Sequence, residues 1–492
     1  MSGIFDLSKK PDKSEIKDRL KTRRDELFAK QMIIKDKKLP VLIIVEGWGT
    51  AGKGTLISNI IKNIDPRFFK VFNINVRTPE QKRYPFLKRY FDLIPEQGKI
   101  SIWDGAWMSE LTVYKAEGRD EVCAQRLKSI KCFERQLVED GYLVIKLFLH
   151  ISKKEQKKRI KDLLSDKNTR WRISDNDLNQ NKHYDTRLED FAEFIKETNS
   201  TYAPWHVIDG SSENWAALQA LDVINEALDT AFQNSSLSFP VLQNTFQLNK
   251  TSNLKDISLD DKVLSDDEYN SKLEELQKKL SELHYELYRK KIPVVIAYEG
   301  WDAAGKGGNI KRIAAALDPR GYEVHPIASP EPHEKARHFL WRFWTRLPKD
   351  GHIAIFDRTW YGRVMVERIE GFCSENEWKR AYNEINEFEK ELVDWGAVVI
   401  KFWVQIDKDT QLARFTERQN TPEKNWKITD EDWRNREKWD QYESAVDEMI
   451  KKTSTAFAPW YVLESNDKKY ARIKALEIVI ENIERKLNKN VV

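Results

Sequence analysis

Cysteine, long apolar runs and an excess of charge are all scarce in this sequence. The three cysteines (Cys123, Cys132 and Cys373) follow neither a disulfide nor a metal-binding pattern, which predicts free thiols in a reducing compartment. No stretch approaches the roughly 20 apolar residues that a membrane helix needs, and the charged start lacks a signal-peptide core. We therefore expect a soluble, cytoplasmic protein with no membrane partner.

The charges of the chain nearly cancel. Its 83 basic and 79 acidic residues leave a net charge of +4, so no bulk field attracts a nucleic acid or a membrane. We therefore expect no nucleic-acid partner, and any site for an anion must come from a local group of cations.

What the 492 residues do contain is one long internal repeat. Lys53 matches Lys306, and "FERQLVEDGYLVIKLFLHIS" at 133–152 matches "FEKELVDWGAVVIKFWVQID" at 388–407. A repeat of this length indicates duplicated domains rather than a solenoid. We predict a first domain at 1–235, a polar linker at 236–265 and a second domain at 266–492.

The same glycine-rich loop follows the first apolar run of each copy. It reads "EGWDAAGKGG" at 299–308 and "EGWGTAGKGT" at 46–55, and a helical pattern follows each. A strand, the pattern G-x-x-x-x-G-K and a helix form a phosphate-binding P-loop, in which backbone N–H groups and the lysine hold phosphate oxygens. In the second copy, the residues expected to bind phosphate or nucleotide here are Gly300, Ala303, Ala304, Gly305, Lys306, Gly307 and Gly308.

Short apolar runs alternate with helical patterns in both copies. In the second copy the runs lie at 294–300, 323–328, 352–358, 397–406 and 460–465. Almost unbroken apolar runs are typical of strands buried on both faces of a parallel sheet, and the helices between them provide the crossovers. The sequence therefore predicts an α/β fold with two tandem P-loop kinase-like domains. Each is expected to be a parallel sheet of about five strands sandwiched by helices, with a helical lid.

The second loop lacks the hydroxyl that usually binds Mg²⁺. Gly307 stands where a P-loop has Ser or Thr after the lysine. A Mg²⁺ site must therefore use carboxylates, and the candidates are Asp302 in the loop and Asp357 at the end of the third run; Mn²⁺ is the alternative ion. Asp302 could instead orient or deprotonate the attacking phosphate, or cap the next helix, and we favour a catalytic role.

Two arginines and a tyrosine follow Asp357. Arg358 and Arg363 leave the strand at the sheet edge where ligands bind in open α/β folds. An arginine there can stabilise charge on a phosphoryl group in transfer, and we assign that role to Arg358. Arg363 is a candidate phosphate ligand with a surface ion pair as the alternative, and Tyr361 either contacts nucleotide or packs.

Two further segments, 334–351 and 412–442, are rich in cations. The second follows the fourth run, where P-loop kinases have a lid whose closure excludes water. So many cations suggest a polyanionic donor. Nucleic-acid binders also combine cations with aromatics, but tryptophans at helical intervals are more typical of packing, and single lysines of a solvated face. The candidate ligands of the polyanion are Arg337, His338 and Arg342 in the first segment, and Arg414, Arg418, Lys424, Arg434 and Arg436 in the second.

Several motifs of the second copy resemble the polyphosphate kinase 2 family. They include "EGWDAAGKGG", "LDPRGYEV", "LWRFW", "IFDRTWYGRVMVERIEG" and "PEKNWKITDEDWRNREKWDQY", and the match spans nearly all of 266–490. The tandem layout resembles the two-domain branch, the polyphosphate:AMP phosphotransferases. The resemblance implies Mg²⁺-dependent phosphoryl transfer between inorganic polyphosphate and a nucleoside mono- or diphosphate. It implies that Asp302 and Asp357 organise metal and phosphates, and that Lys306 and Arg358 hold the transferring group.

The first copy departs from this pattern at the chemical residues. Losing one well-placed electrostatic group typically costs about 100- to 1,000-fold in rate, so we predict that residues 1–235 are inactive. Lys53 and Asp104 persist. The replacements are Gly49 for Asp302, Gly105 for Arg358, Met108 for Tyr361, Glu110 for Arg363, Leu163 for Arg418, Asn179 for Arg434 and Asn181 for Arg436.

The leading functional hypothesis is phosphoryl transfer from polyphosphate to AMP, which gives ADP. The alternatives are transfer from polyphosphate to ADP, an NTP-dependent P-loop nucleotide kinase, and a polyphosphate- or nucleic-acid-binding protein without catalysis. Gly307 argues against the NTP-dependent kinase, and the complete set of charged residues in the second copy argues against the third alternative. AMP rather than ADP rests on the two-domain resemblance, and a homo-oligomer is left open.

Overall fold

The computed structural model describes residue 5 and residues 12–233, 246–423, 428 and 430–489. These residues group into two compact units. Unit 1 holds the described residues within Met1–Gln81, Arg89–Phe239 and Pro332–His338, and unit 2 holds those within Lys82–Lys88, Pro240–Glu331 and Phe339–Val492. The predicted boundary at residue 235 lies outside the described residues, and the domain limits stay a prediction.

Unit 1 is built on a five-stranded parallel sheet. The strands have the spatial order β2-β3-β1-β4-β5. They are β1 (Val41–Gly47), β2 (Phe69–Asn73), β3 (Ile100–Asp104), β4 (Leu143–His150) and β5 (Trp205–Asp209).

Unit 2 repeats this sheet, with the spatial order β10-β9-β6-β8-β7. Each of the five predicted runs coincides with one strand, although β7 begins one residue before its run, and the predicted fold class is confirmed. The strands are β6 (Val294–Gly300), β7 (Tyr322–Pro326), β8 (Ile353–Asp357), β9 (Val398–Gln405) and β10 (Trp460–Glu464).

Helices precede, connect and follow the strands. In chain order they are α1 (Lys13–Asp36), α2 (Lys53–Ile61), α3 (Lys88–Phe91), α4 (Met108–Ala116), α5 (Asp120–Glu139), α6 (Lys153–Ser165), α7 (Asp175–Lys182), α8 (Tyr184–Thr198), α9 (Glu213–Gln233), α10 (Asp266–Lys290), α11 (Lys306–Ala314), α12 (Pro332–Lys335), α13 (Trp341–Trp344), α14 (Val366–Ile369), α15 (Glu375–Trp395), α16 (Lys408–Asn420), α17 (Asp430–Glu437), α18 (Trp439–Thr453) and α19 (Lys468–Lys489).

The central strands of unit 2 are buried because helices cover them. Every residue of β9 is buried, and so is every residue of β6 except its last. Helices α15 and α19 contact β9, and α11 contacts β6. Because all five strands run parallel, their carboxyl ends meet at one edge of the sheet, and the loops of the candidate site lie there.

Part of the predicted linker belongs to unit 2 and packs against its other segments. The N–H of Asn249 donates to the carbonyl of Ser454 (2.7 Å), and the N–H of Leu254 donates to Oδ1 of Asp447 (2.8 Å). The side chain of Leu254 is buried. The sequence predicted only an aperiodic polar segment here, because backbone hydrogen bonds of this kind leave no periodic pattern.

Within the described ranges, no helix combines the length and apolar character that crossing a bilayer requires. All three cysteines are free thiols.

Candidate active site

The loop after β6 has P-loop geometry. Gly300 ends the strand at φ 154°, and a Cβ there would stand 2.6 Å from the carbonyl oxygen of Val404 on the neighbouring strand. Ala303 (φ 61°) and Gly305 (φ 116°) adopt left-handed conformations, and α11 begins at Lys306. A left-handed alanine is uncommon and marks a backbone that its surroundings hold in place. The loop thus wraps the N-terminus of α11, where an anion is favoured.

Arg414 fastens this loop to the rest of the unit. Its guanidinium donates to the carbonyl oxygens of Ala303 (3.0 Å) and Ala304 (2.9 Å), and also to those of Ser465 (2.5 Å) and Asn466 (3.1 Å). Burial, with the nearby charge of Arg418, lowers the pKa of Arg414 to about 10. The sequence assigned Arg414 to the polyanion, but its donors face the loop, which makes it a positioning residue.

Lys306 and Trp301 complete the loop. The ammonium group of Lys306 donates to the carbonyls of Gly300 (2.7 Å) and Trp301 (3.2 Å). The indole of Trp301 stacks on Trp439 of α18 at 3.7 Å between ring centroids and donates to Oε1 of Gln405 (2.9 Å). The lysine therefore lies in the mouth of the loop, and the tryptophan joins the loop to the lid region.

The predicted acids and Arg358 come together beside this loop. Asp357 ends β8 and pairs in register with Tyr298 of β6, so the end of β8 lies next to the start of the loop. The guanidinium of Arg358 lies 3.4 Å from Oδ1 of Asp302. Arg358 is 52% exposed, whereas Asp302 is only 15% exposed. The structure therefore brings Asp302, Lys306, Asp357 and Arg358 to one sheet edge.

Arg358 has an unusual backbone. Its φ is 65°, and Gly105 has a φ of 79° at the matching position of unit 1. A non-glycine residue in this region pays of order 1 kcal/mol in strain, which persists only where the surroundings hold it. Loss of water around the half-exposed guanidinium of Arg358 opposes its charge, but the carboxylates of Asp302 and Glu299 raise its pKa above the ordinary value.

Glu299 supports the segment that carries Arg358, and the sequence did not reveal it. Its Oε1 accepts hydrogen bonds from the N–H and the hydroxyl of Thr359, both at 2.7 Å. Burial raises the pKa of Glu299, and these hydrogen bonds act against that shift. Glu46 makes the matching bond to the N–H of Ala106 (2.8 Å) in unit 1. A glutamate before the glycine of both loops was the available signal.

Asn435 of α17 is a second residue that the sequence did not reveal. Its amide donates to Oδ2 of Asp302 (2.9 Å), and the hydroxyl of Tyr442 donates to Oδ1 of Asn435 (3.3 Å). The backbone carbonyl of Asp302 accepts from Gln411 of α16 (3.1 Å). Two lid helices thus hold Asp302, and the carboxylate lies between Asn435 and Arg358. An amide at the matching position of the first copy, Gln180, was the only signal.

Tyr361 and Arg363 are both bonded to other protein side chains. Tyr361 is fully buried; its hydroxyl donates to Oε1 of Glu389 (2.6 Å) and accepts from Lys401 (2.9 Å). Of the two alternatives for Tyr361, the structure supports packing, because no ligand can reach its hydroxyl. Arg363 is 15% exposed and pairs with Glu367 (3.1 Å), so its charge is already balanced.

The other predicted polyanion ligands are spread over the chain. Arg337 and His338 belong to unit 1, where Arg337 pairs with Glu96 (3.0 Å). Lys424 lies outside the described residues. Within unit 2, Arg342 donates to the carbonyl of Ala328 (2.9 Å), Arg436 donates to that of Lys408 (2.6 Å), Arg434 is exposed on α17, and Arg418 lies one turn after Arg414 on α16.

The first loop has the same backbone and different chemistry. Arg159 donates to the carbonyl of Ala51 (2.8 Å), as Arg414 does in unit 2. Next to Gly49, the side chain of Asp177 fills the space that a Cβ would occupy, and the N–H of Gly49 donates to Oε1 of Gln180 (2.9 Å). The loop of unit 1 is therefore folded but closed by its own lid helix α7.

The two metal ligands that the sequence predicts, Asp302 and Asp357, both lie in unit 2. Across the described ranges, no group of three or more His, Cys, Asp or Glu side chains could enclose a metal ion. Mg²⁺ commonly uses one or two carboxylates and takes its other ligands from substrate phosphates and water. Asp302 and Asp357 lie at one sheet edge and fit that set of ligands. The described residues do not offer enough ligands to enclose the ion without substrate and water.

Comparison with known proteins identifies the family. The family model described as "Polyphosphate kinase 2" matches residues 10–236 and 263–491. The chain is 40% identical to the polyphosphate:AMP phosphotransferase of Pseudomonas syringae pv. tomato and 38% identical to that of Pseudomonas aeruginosa, in both cases over 95% of each chain. Its structure matches the crystal structure of a candidate polyphosphate kinase 2 from Pseudomonas aeruginosa with a TM-score of 0.85, over 100% of both chains and at 36% identity. This chain belongs to the polyphosphate kinase 2 family.

Proposed function

We propose that unit 2 transfers a phosphoryl group from inorganic polyphosphate to AMP and so forms ADP. The observation that carries this proposal is the convergence of Asp302, Lys306, Asp357 and Arg358 at the mouth of one P-loop. Three relatives that match at least 94% of the chain are named polyphosphate:AMP phosphotransferases, which supports the donor and the acceptor.

In this reaction an oxygen of the AMP phosphate attacks the terminal phosphorus of the polyphosphate. The new P–O bond forms as the bridging P–O bond breaks, and the donor leaves one phosphate shorter. Backbone N–H groups of the loop and Lys306 bind the phosphate oxygens, and Arg358 stabilises the charge on the group in transfer. Asn435 and Arg358 hold Asp302 in position from two sides.

A divalent cation completes the proposed site, with Mg²⁺ as the first choice and Mn²⁺ as the alternative. Asp302 and Asp357 would hold it together with substrate phosphate oxygens. When bound, such an ion neutralises phosphate charge and orients the phosphate oxygens. Without it, two carboxylates would face a polyanion, so the proposal includes an absolute need for the ion.

Unit 1 is proposed to be inactive. It has Gly49 and Gly105 in place of Asp302 and Arg358, and Asp177 and Gln180 occupy the surroundings of its loop. Its contribution is therefore structural. We also propose a cytoplasmic location, which the three free thiols support.

The test uses the full chain with Mg²⁺, long-chain polyphosphate and AMP. We expect ADP, and a lack of ADP above controls without polyphosphate would contradict the proposal. A donor panel of ATP, GTP and polyphosphate against AMP and ADP distinguishes the NTP-dependent kinase and the ADP-phosphorylating alternative. Binding of polyphosphate without turnover would support the non-catalytic alternative.

Two matched substitutions assign the reaction to one unit. Lys306→Ala should remove about 100-fold or more of the rate, since this residue binds the transferring group. The same change in the first loop, Lys53→Ala, should leave the rate almost unchanged. A severe loss in Lys53→Ala with a folded protein would show that unit 1 takes part in catalysis.

A further inference from the structure

Arg472 on helix α19 lies against the first turn of the helix that follows the P-loop. A Cβ on Gly308 would stand 3.2 Å from Nη2 and 3.5 Å from Nε of Arg472. Gly308 is the third residue of α11, so its hydrogen side chain leaves room for the guanidinium. A cation therefore lies at the flank of the loop, and no sequence pattern pointed to this residue.

Arg472 is one of several cations on this side of the loop. The positive charges of Arg418 and Arg472 both act on Arg414, which lies between the loop and the strand ends. Within the described part of the chain, Arg472 has no hydrogen bond or ion pair, whereas Arg485 on the same helix pairs with Glu481. Like charges repel one another; the carboxylates of Glu417 and Asp407 offset part of this repulsion at Arg414, and an anion beside the arginines would offset more of it.

The position of Arg472 differs from that of the reacting groups. In the sheet, β6 carries the loop and lies between β8 on one side and β9 and β10 on the other. Asp357 and Arg358 follow β8, whereas the segment that leads to Arg472 follows β10. A single phosphate cannot contact both flanks of the loop, but a chain of phosphates can. AMP carries one phosphate, so a further phosphate beside Arg472 would belong to the donor.

The first copy lacks this cation as well. Ala217 matches Arg472, Leu163 matches Arg418, and Thr55 matches Gly308. The arginine that holds the loop is retained: Arg159 contacts the loop of unit 1 as Arg414 contacts that of unit 2. The copies therefore share the arginine that holds the loop and differ in the two arginines beside it.

We propose that Arg472, assisted by Arg418, binds phosphates of the polyphosphate donor beyond the one that is transferred. This inference rests on the proposed function, because it assigns a further substrate-binding residue to the same reaction. Arg472 acts on the binding of the donor chain rather than on the phosphoryl group in transfer.

The test compares Arg472→Ala with Arg472→Lys and with Arg485→Ala, an exposed arginine of the same helix. With long-chain polyphosphate, Arg472→Ala should raise the KM for the donor roughly 10-fold, as expected for the loss of one charge-assisted contact. The KM for AMP and kcat at saturating donor should stay within about 2-fold. Arg472→Lys should recover part of the loss, and Arg485→Ala should match the wild type.

Donor length separates this role from a general effect on the site. The difference between Arg472→Ala and the wild type should shrink when tripolyphosphate replaces long chains, since a short donor extends less far from the loop. A raised KM for AMP, a fall in kcat with an unchanged donor KM, or an equal loss with both donors would overturn the inference. If Arg472→Ala does not fold, Arg472→Gln is measured in the same way.

The outcomes also separate this inference from the proposed function. A wild-type protein that makes no ADP from polyphosphate contradicts the proposed function itself. An active wild type with unchanged donor kinetics in the folded Arg472 variants contradicts only the role of Arg472.

Discussion

In unit 1 the carboxylate of Asp177 occupies the space beside Gly49: its Cγ lies 2.9 Å from where a Cβ on residue 49 would stand. In unit 2 the matching loop residue is Asp302, and the neutral amide of Asn435 faces it. Asp177 is held by the N–H and the hydroxyl of Ser174, at 2.8 and 2.7 Å, as part of a helix cap. Unit 1 therefore has a carboxylate near its loop, but this carboxylate belongs to lid helix α7 and is already hydrogen-bonded in the cap of that helix.

This relationship predicts that restoring the loop acid alone does not restore catalysis. In an Asp302→Asn background, Gly49→Asp should give no ADP, because the new carboxylate meets that of Asp177 and Gly105 supplies no arginine. The variant should also unfold at a lower temperature, since two like charges share one buried space. The control is Gly54→Asp, where a Cβ meets nothing within 4 Å. Recovery of ADP formation by Gly49→Asp would contradict this account.

The strained backbone of Arg358 predicts that activity and stability separate at this position. Arg358→Ala and Arg358→Gly should both lose about 100- to 1,000-fold in kcat, because both remove the guanidinium. Glycine adopts a φ near 65° without strain, so Arg358→Gly should be about 1 kcal/mol more stable than Arg358→Ala. Activity assays and thermal unfolding of the two variants provide the check. Equal stability, or a less stable glycine variant, would contradict the strain.

The fold could be predicted because its signals are local. The run "VVIAYEG" becomes β6 with the predicted bounds, since a strand buried on both faces must be apolar throughout. The loop could be predicted because its glycines mark turns that other residues rarely adopt, as at Gly300 and Gly305. Because the sequence repeats this pattern, the strand and the loop could be predicted in both copies.

The parts of the site that the sequence missed depend on contacts between distant segments. Asn435 reaches Asp302 from 133 residues away, and Arg414 reaches Ala303 from 111. The sequence shows that a residue is an arginine or an asparagine, but it does not show which distant group that side chain contacts in the folded protein. Tyr361 is the opposite case. Its position in the sequence, three residues after Arg358, made it a candidate ligand of the nucleotide, but its hydroxyl is bound to Glu389 in the core.

The contact between Asn435 and Asp302 predicts a modest and specific loss of rate. Asn435→Ala removes one hydrogen bond to a carboxylate, so kcat should fall roughly 10-fold while the KM for polyphosphate changes little. Asn435→Gln should lose less, because a longer amide, Gln180, contacts the loop in unit 1. Steady-state kinetics with both substrates varied give the answer. A variant with wild-type kcat would show that the contact does not position Asp302 during turnover.

A histidine in unit 1 and a glutamine in unit 2 accept the same hydrogen bond. Nδ1 of His150 accepts from the indole of Trp48 (3.1 Å), and Oε1 of Gln405 accepts from that of Trp301 (2.9 Å). Burial lowers the pKa of His150 to about 4, although the charge of Asp209 acts in the opposite direction. The unfolded chain, with a histidine pKa near 6.5, therefore binds the proton first as the pH falls.

This difference predicts how the two residues respond to acid. His150 should make the wild type lose stability as the pH falls from about 6.5 to about 4, because protons bind the unfolded state preferentially. His150→Gln keeps an acceptor for Trp48 and removes the titrating group, so its stability should fall less over the same interval. Thermal unfolding of the two full chains between pH 7 and pH 4.5 measures the difference. Parallel loss of stability in both proteins would show that His150 takes up its proton equally well in the folded and the unfolded chain.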